Sequence, residues 1–216
     1  MTPERINKQH DVTEFARYLL SQLQPAAFDM TWWPKWSLSD GPAVDQNMDD
    51  YPRGGKWDAI SLSLPAIDSA SLHSTEQFSL QHLINQWHDA SGMCNVCTKM
   101  SRGKLLLVDR QVQSMKDLRQ ITSIEQVLIP HSATYQDDIH WIPFEAVALT
   151  YHLGQHVESG HYRTMVLVRA PGSVKAWKDY EDAKLPDDFQ TPSETHLSNV
   201  TLIWMKQKHV ETSSDS

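Results

Sequence analysis

The run Trp141-Ile-Pro-Phe-Glu-Ala-Val-Ala-Leu-Thr-Tyr151 constrains this chain more than any other segment. Its apolar residues fall on both parities. Phe144, Ala146 and Ala148 point one way and Val147, Leu149 and Tyr151 the other, which predicts a strand buried on both faces. A strand of that kind sits inside a sheet and needs a partner on each edge. Candidates follow in the same half of the chain. Thr164 to Arg169 and Val200 to Met205 read as strands, and so do Lys104-Leu-Leu-Leu-Val108 and Glu125-Gln-Val-Leu-Ile-Pro130 before them.

The first half carries fewer strand signals. Val12, Phe15, Ala16, Leu19, Leu20 and Leu23 recur at helical spacing, with Asp11 placed to cap the N-terminus, Glu14 as its reciprocal partner and Pro25 as the stop. Residues 26–58 are aromatic and irregular, with turn signals at Gly41-Pro42 and Pro52-Arg-Gly-Gly55. Residues 57–64 alternate over Ile60, Leu62 and Leu64 and read as a strand ended by Pro65. The spacing of Phe78, Leu80, Leu83, Ile84 and Trp87 predicts a helix over 77–87, and the polar stretch 111–122 a connection. One strong helix followed by a strand-rich second half makes the fold α+β, built on a mainly antiparallel, curved sheet.

At 216 residues one domain is the expectation, with enough chain to bury a sizeable core. Hydrophobic content of 40% and charged content of 21% place it among globular chains. The net charge of −8 argues against a nucleic-acid role. Cys94 and Cys97, the two cysteines, give no disulfide framework and suit a reducing compartment, cytoplasmic or nuclear. No apolar run reaches membrane-spanning length, so no membrane role is expected. A single Cys-x-x-Cys supplies half of a tetrahedral structural zinc site, so neither metal nor cofactor is expected.

The chemistry-bearing residues cluster late. Tyr151-His-Leu-Gly-Gln-His-Val-Glu-Ser-Gly-His-Tyr-Arg-Thr164 places Gly160-His161-Tyr162 at the mouth of a strand. Trp177-Lys-Asp-Tyr-Glu-Asp182 follows. An imidazole titrates near neutral pH, and a carboxylate that fixes its ring makes it a general base for a nucleophile. On spacing alone, His161 equally fits a hairpin-loop histidine, and Glu181 and Asp182 equally fit solvated turn carboxylates.

The Gly-His-Tyr box, the earlier Gln9-His-Asp-Val-Thr-Glu-Phe15 and the stretch from Leu62-Ser-Leu-Pro65 through Phe78-Ser-Leu-Gln-His-Leu-Ile84 to Cys94-Asn-Val-Cys97 occur in one order. Together they resemble the ubiquitin-specific proteases, papain-like cysteine isopeptidases. The resemblance covers residues 6–208 as a partial domain, with 209–216 a disordered tail. It implies a palm-and-fingers sheet with one long N-terminal helix and an incomplete thumb. It makes His161 the positional equivalent of the family's catalytic histidine, with Glu181 or Asp182 holding its Nδ1. His152, Gly154, Gly160 and Tyr162 fall where the family lines the channel for the substrate's C-terminal tail. The family's nucleophile box, approximately Gly-Asn-Thr-Cys-Tyr, would precede Gln9, and eight residues stand there.

The resemblance thus implies a cysteine-type deubiquitinase that lacks its nucleophile and is inactive alone. Its partners would be ubiquitin or a ubiquitinated protein, and a further chain able to supply the missing lobe. The alternative is a non-catalytic ubiquitin- or protein-binding module, and a third reading is a fragment without function. An open apolar face beside His161, lined by the first helix and the Trp32–Trp36 region, is expected where the lost lobe would dock.

Overall fold

Residues His140–His156 form a single strand of 17 residues, and most of the sheet is arranged on its two edges. The computed structural model describes residues 12–23, 32–34, 59–62, 77–91, 93–96, 105–110, 119–132, 138–156, 159–169, 175–182 and 184–208. In chain order these give α1 (Val12–Leu23), β1 (Trp32–Pro34), β2 (Ala59–Leu62), β3 (Gln77–Ser79), α2 (Leu80–Ser91), β4 (Met93–Val96) and β5 (Leu105–Arg110). There follow β6 (Gln120–Thr122), β7 (Val127–Ser132), β8 (His140–His156), β9 (Ser159–Val168), β10 (Ala176–Tyr180), β11 (Asp187–Phe189), α3 (Glu194–Asn199) and β12 (Val200–Gln207).

The sheet forks at β8. On one edge β12 runs antiparallel beside it from Phe144 to Tyr151, and β5 and β2 continue outward. On the other edge β7 pairs with residues 140–144, while β9 pairs with residues 148–156. One arm of the fork extends through β7 to β4 and β1. The other extends through β9 to β10 and β11. The fold is therefore α+β and mainly antiparallel, with parallel pairing at β2–β5, β4–β7 and β3–β6.

The main core lies on one face of this sheet. Ile60, Leu106, Val108, Leu149, Met165, Ile203 and Met205 pack there against Leu80, Leu83 and Ile84 of α2. α1 covers the other face, where Ala16 and Leu20 meet Leu107 and Leu202. The Thr13 hydroxyl donates to Asp109 Oδ1 at 3.0 Å and pins the first turn of the helix to the sheet.

Four readings from the sequence need correction. The expected apolar stripe of α1 is only partly buried. One row, Ala16 and Leu20 with half-buried Val12, seats on the sheet, while Phe15 and Leu19 stay 56% and 38% exposed. The helix read over 77–87 starts at Leu80, because Ser79 caps it: the His82 N–H donates to Ser79 Oγ at 3.1 Å. Residues 77–79 instead pair with 120–122, so the stretch read as a connection contains a short strand. Three residues are too few for a period-two signal.

The fourth correction concerns β8 itself. Phe144, Ala146, Leu149 and Tyr151 all join the same core, although odd and even positions of a regular strand point apart. A register shift accounts for this. Trp204 lies opposite Ala148 and Met205 opposite Ala146, so Val147 is an extra residue that reverses the strand's phase. The Cys94 backbone lies in β4. Cys97 and Asp11 lie outside the described residues.

Deleting Val147 removes that phase reversal and turns one pair of core residues to the wrong face. The deletion is expected to cost more than about 4 kcal/mol in urea unfolding, whereas Val147→Ala stays within about 1.5 kcal/mol.

Candidate functional site

Strand register assigns the candidate residues to faces. Residues directly opposite in an antiparallel pair share a face. His161 lies opposite Leu153, Arg163 opposite Tyr151 and Met165 opposite Leu149, so His161 and Arg163 belong to the main-core face. β10 continues this face, with Trp177 opposite Leu167 and Asp179 opposite Met165. Tyr162 lies opposite His152, on the face that also carries Thr150, Trp204 and α1. The two candidate sets are thus each brought together, but on opposite faces. The expected open face beside His161 is corrected in one respect: α1 lies on the other side of the sheet. Trp36 is outside the described residues.

Glu181 and Asp182 follow directly on β10 and turn toward His161. The half-exposed imidazole directs Nε2 inward, 4.0 Å from Glu181 Oε1 and 3.7 Å from Asp182 Oδ2. Both gaps exceed hydrogen-bond length, and Nε2 is a buried atom without a hydrogen-bond partner among the described residues. The expectation placed the carboxylates at Nδ1. They stand at Nε2. Asp182 takes φ 43°, a left-handed conformation that aspartate tolerates better than most residues.

Glu181 is already engaged. Its Oε1 meets Lys184 Nζ at 3.0 Å and its Oε2 meets Arg163 Nη1 at 3.2 Å. The hydrogen bond from Lys184, with the nearby charges of Arg163 and His161, holds its carboxyl below the usual range.

Asp179 was not singled out from the sequence, yet it is the most enclosed charge in the region, at 2% exposure. Arg163 Nη2 stands 2.6 Å from its Oδ2, and the Tyr151 hydroxyl donates to the same oxygen at 2.8 Å. Burial first, and then the bond to Asp179, push the Tyr151 phenol upward, so it stays a donor. His196 of α3 approaches Oδ2 with Nε2 at 3.9 Å, while its Nδ1 accepts the Ser193 N–H at 2.8 Å. The His196 ring packs edge-on against Tyr151 and Phe189, and burial lowers its pKa. One signal in the sequence pointed here. Asp179 lies two residues from both Trp177 and Glu181, so it shares their inward face and requires a buried cation. Arg163, two residues after His161, is that cation.

On the opposite face His152 is buried and packs against Tyr162, with ring centroids 4.6 Å apart. A Cβ on Gly160 would stand 2.3 Å from the Leu153 carbonyl oxygen and 2.5 Å from His152 Nε2, and its φ of 154° further favours glycine. Gly154, at φ 157°, would meet Ser159 O at 2.4 Å. The two glycines thus leave room for the His152 ring and for the close approach of the hairpin's own backbone. Among the described residues no group of three or more metal-binding side chains comes together, and no helix is long and apolar enough to cross a membrane.

No family model matches the chain, and no curated protein matches it in sequence. Solved structures with distant likeness include an essential yeast splicing factor, at 12% identity and TM-score 0.42, over 71% of this chain and 37% of that one. They also include the pseudoubiquitin hydrolase–RNA exonuclease module of Saccharomyces cerevisiae Pan2, at 9% identity and TM-score 0.44, over 69% of this chain and 29% of that one. The same module in complex with A7 RNA matches at 10% identity and TM-score 0.41, over 70% and 29%. The chain therefore spans well under half the length of these structures. At such scores nothing about its activity follows from them.

The buried histidines set a pH dependence. Burial lowers the pKa of both His196 and His131 from 6.5, with His140 adding to the effect at His131. The unfolded chain therefore binds protons that the folded chain refuses. Stability contributed by the neutral rings is present above pH 6.5 and is lost as pH falls below it, by at most ~1.4 kcal/mol per pH unit per ring. Replacing His196 by Asn keeps an acceptor for the Ser193 N–H and removes the titration. Urea unfolding at pH 7 and pH 5 should show a smaller loss for His196→Asn than for the wild type. Gly160→Ala should destabilise by roughly 1–3 kcal/mol at either pH.

Proposed function

We propose that this chain is a ubiquitin-specific-protease-like domain that holds ubiquitin, or a ubiquitinated protein, without cleaving it through its own residues. One observation supports this reading above the others. The β8–β9 hairpin puts His161 on one face with Glu181 and Asp182 at 4.0 and 3.7 Å, in a chain whose two cysteines are Cys94 and Cys97. In this reading they stand for the base-and-orienter half of a cysteine-protease site, in the order that the family's motifs carry it. The other half requires a thiolate within hydrogen-bond reach of the imidazole. Cys94 stands on β4, which belongs with β7 to the other arm of the fork from β9. In this reading His152, Gly154, Gly160 and Tyr162 keep the family's place beside the substrate tail.

A second reading is a deubiquitinase completed by another chain that brings the thiol. The half-exposed His161 ring favours it, since the imidazole is open to an incoming group.

Both readings require ubiquitin binding, and labelled ubiquitin titrated with the purified chain should show saturable resonance shifts. Tyr162→Ala should weaken that binding about tenfold. The chain alone should release nothing from a ubiquitin C-terminal fluorogenic amide and should resist a ubiquitin-based thiol-reactive probe. Absence of binding would sink both readings. Turnover, or labelling lost on Cys97→Ser, would sink the non-catalytic one.

A further inference from the structure

We propose that Gln81 guards an open sheet edge: its carboxamide takes the place of a neighbouring strand beside Leu128 and keeps β7 from pairing with the same edge of a second copy. Leu128 lies opposite Pro143 in the β7–β8 pair. Residues opposite one another in an antiparallel pair exchange both N–H···O bonds or neither. Pro143 has no N–H to give, and its carbonyl accepts the Lys208 N–H at 2.9 Å, on the β12 side. The N–H and C=O of Leu128 therefore point away from β8, to the outer edge of β7. β4 reaches that edge only at His131 and Ser132, so among the described residues no strand lies beside Leu128.

Gln81 fills this place. Leu80, Leu83 and Ile84 seat α2 on the core, which sets Gln81, in the first turn, at the helix flank over the edge. The Leu128 N–H donates to Gln81 Oε1 at 2.6 Å, and Gln81 Nε2 donates to the Leu128 carbonyl at 3.1 Å. These are the two bonds that a residue of an adjacent strand would make. The other hydrogen on Nε2 goes to Asn85 Oδ1 at 2.8 Å, which fixes the amide's orientation. An unguarded edge is a template for another strand, and a charge or a proline is the common defence. Residues 126–129, Gln-Val-Leu-Ile, hold neither, and Leu128 is 39% exposed. About a two-fold axis Leu128 can face Leu128 of a second copy, exchange both bonds with it and cover its side chain. Gln81 offers the same bonds from within the chain, where no freedom is lost to association.

This role is independent of ubiquitin. Hydrogen exchange at the Leu128 amide of the full chain, followed beside sedimentation, tests it. In the wild type Leu128 should be protected to the same degree at every concentration. Gln81→Ala suits a helix, and in dilute solution its Leu128 amide should exchange about tenfold faster than the wild type's. As concentration rises, protection should return while the sedimenting mass doubles. Gln81→Met keeps the side chain's length but neither bond and should behave alike. Adding Leu128→Lys to Gln81→Ala sets like charges face to face across the axis and should abolish the doubling. Three results overturn the proposal. In the first, Leu128 of the folded Gln81 variants stays as protected in dilute solution as in the wild type. In the second, protection is lost and does not return with concentration. In the third, association persists with Leu128→Lys in place.

Discussion

A single buried carboxylate organises one arm of this fold. Asp179 receives Arg163 from β9 and the Tyr151 hydroxyl from β8, and His196 of α3 stands 3.9 Å away. Three elements therefore converge on one oxygen of a fourth, β10. The desolvation of an ion pair at such a place is large and is offset only in part, since Asp179 Oδ1 and Arg163 Nε are buried without a hydrogen-bond partner among the described residues. Removing Arg163 strands Asp179, which couples the strands more tightly than their apolar contacts alone. Arg110 adds a second polar tie to α3, donating from Nη1 to the Ser198 carbonyl at 3.1 Å and satisfying the exit of the helix.

This arrangement bears on chemistry. A general base needs a carboxylate that orients its ring and an open nitrogen that meets the nucleophile. Here both carboxylates beside His161 sit just beyond hydrogen-bond reach, and both Glu181 oxygens are taken, by Lys184 and Arg163. Glu181 is thus tied into an ion network rather than bonded to His161. The face with His152 and Tyr162 is separate. Its glycines serve packing within the chain, so substrate positioning there would be an added role.

Much of the architecture was legible because long periodic runs are strong signals. The central strand, its neighbours β9 and β12 and the first helix follow from apolar spacing, and the sheet's antiparallel character follows from their order. The phase reversal at Val147 was not legible. A bulge leaves no mark in a run that is apolar at both parities, so spacing puts Phe144 and Leu149 on opposite faces. β3 and β6 are three residues each and stabilised by tertiary pairing rather than by pattern. At the site, His161, Glu181 and Asp182 were found through the Gly-His-Tyr and Trp177 boxes. Asp179 and Arg163 stand outside those boxes' chemistry-bearing positions, so the motifs do not mark them. Counting inward-facing charges along β9 and β10 would have found both.

A double-mutant cycle between Arg163 and Asp179 tests most directly whether this buried pair holds the arm together. Arg163→Met should destabilise by about 3–5 kcal/mol in urea unfolding, because it strands the buried Asp179, and Asp179→Leu by less, because Arg163 keeps Glu181 at 3.2 Å. The double variant Arg163→Met/Asp179→Leu should recover most of that loss, giving a coupling of about 2 kcal/mol or more. Additive losses, with the double variant as destabilised as the two singles combined, would contradict the pairing and the role given to Asp179.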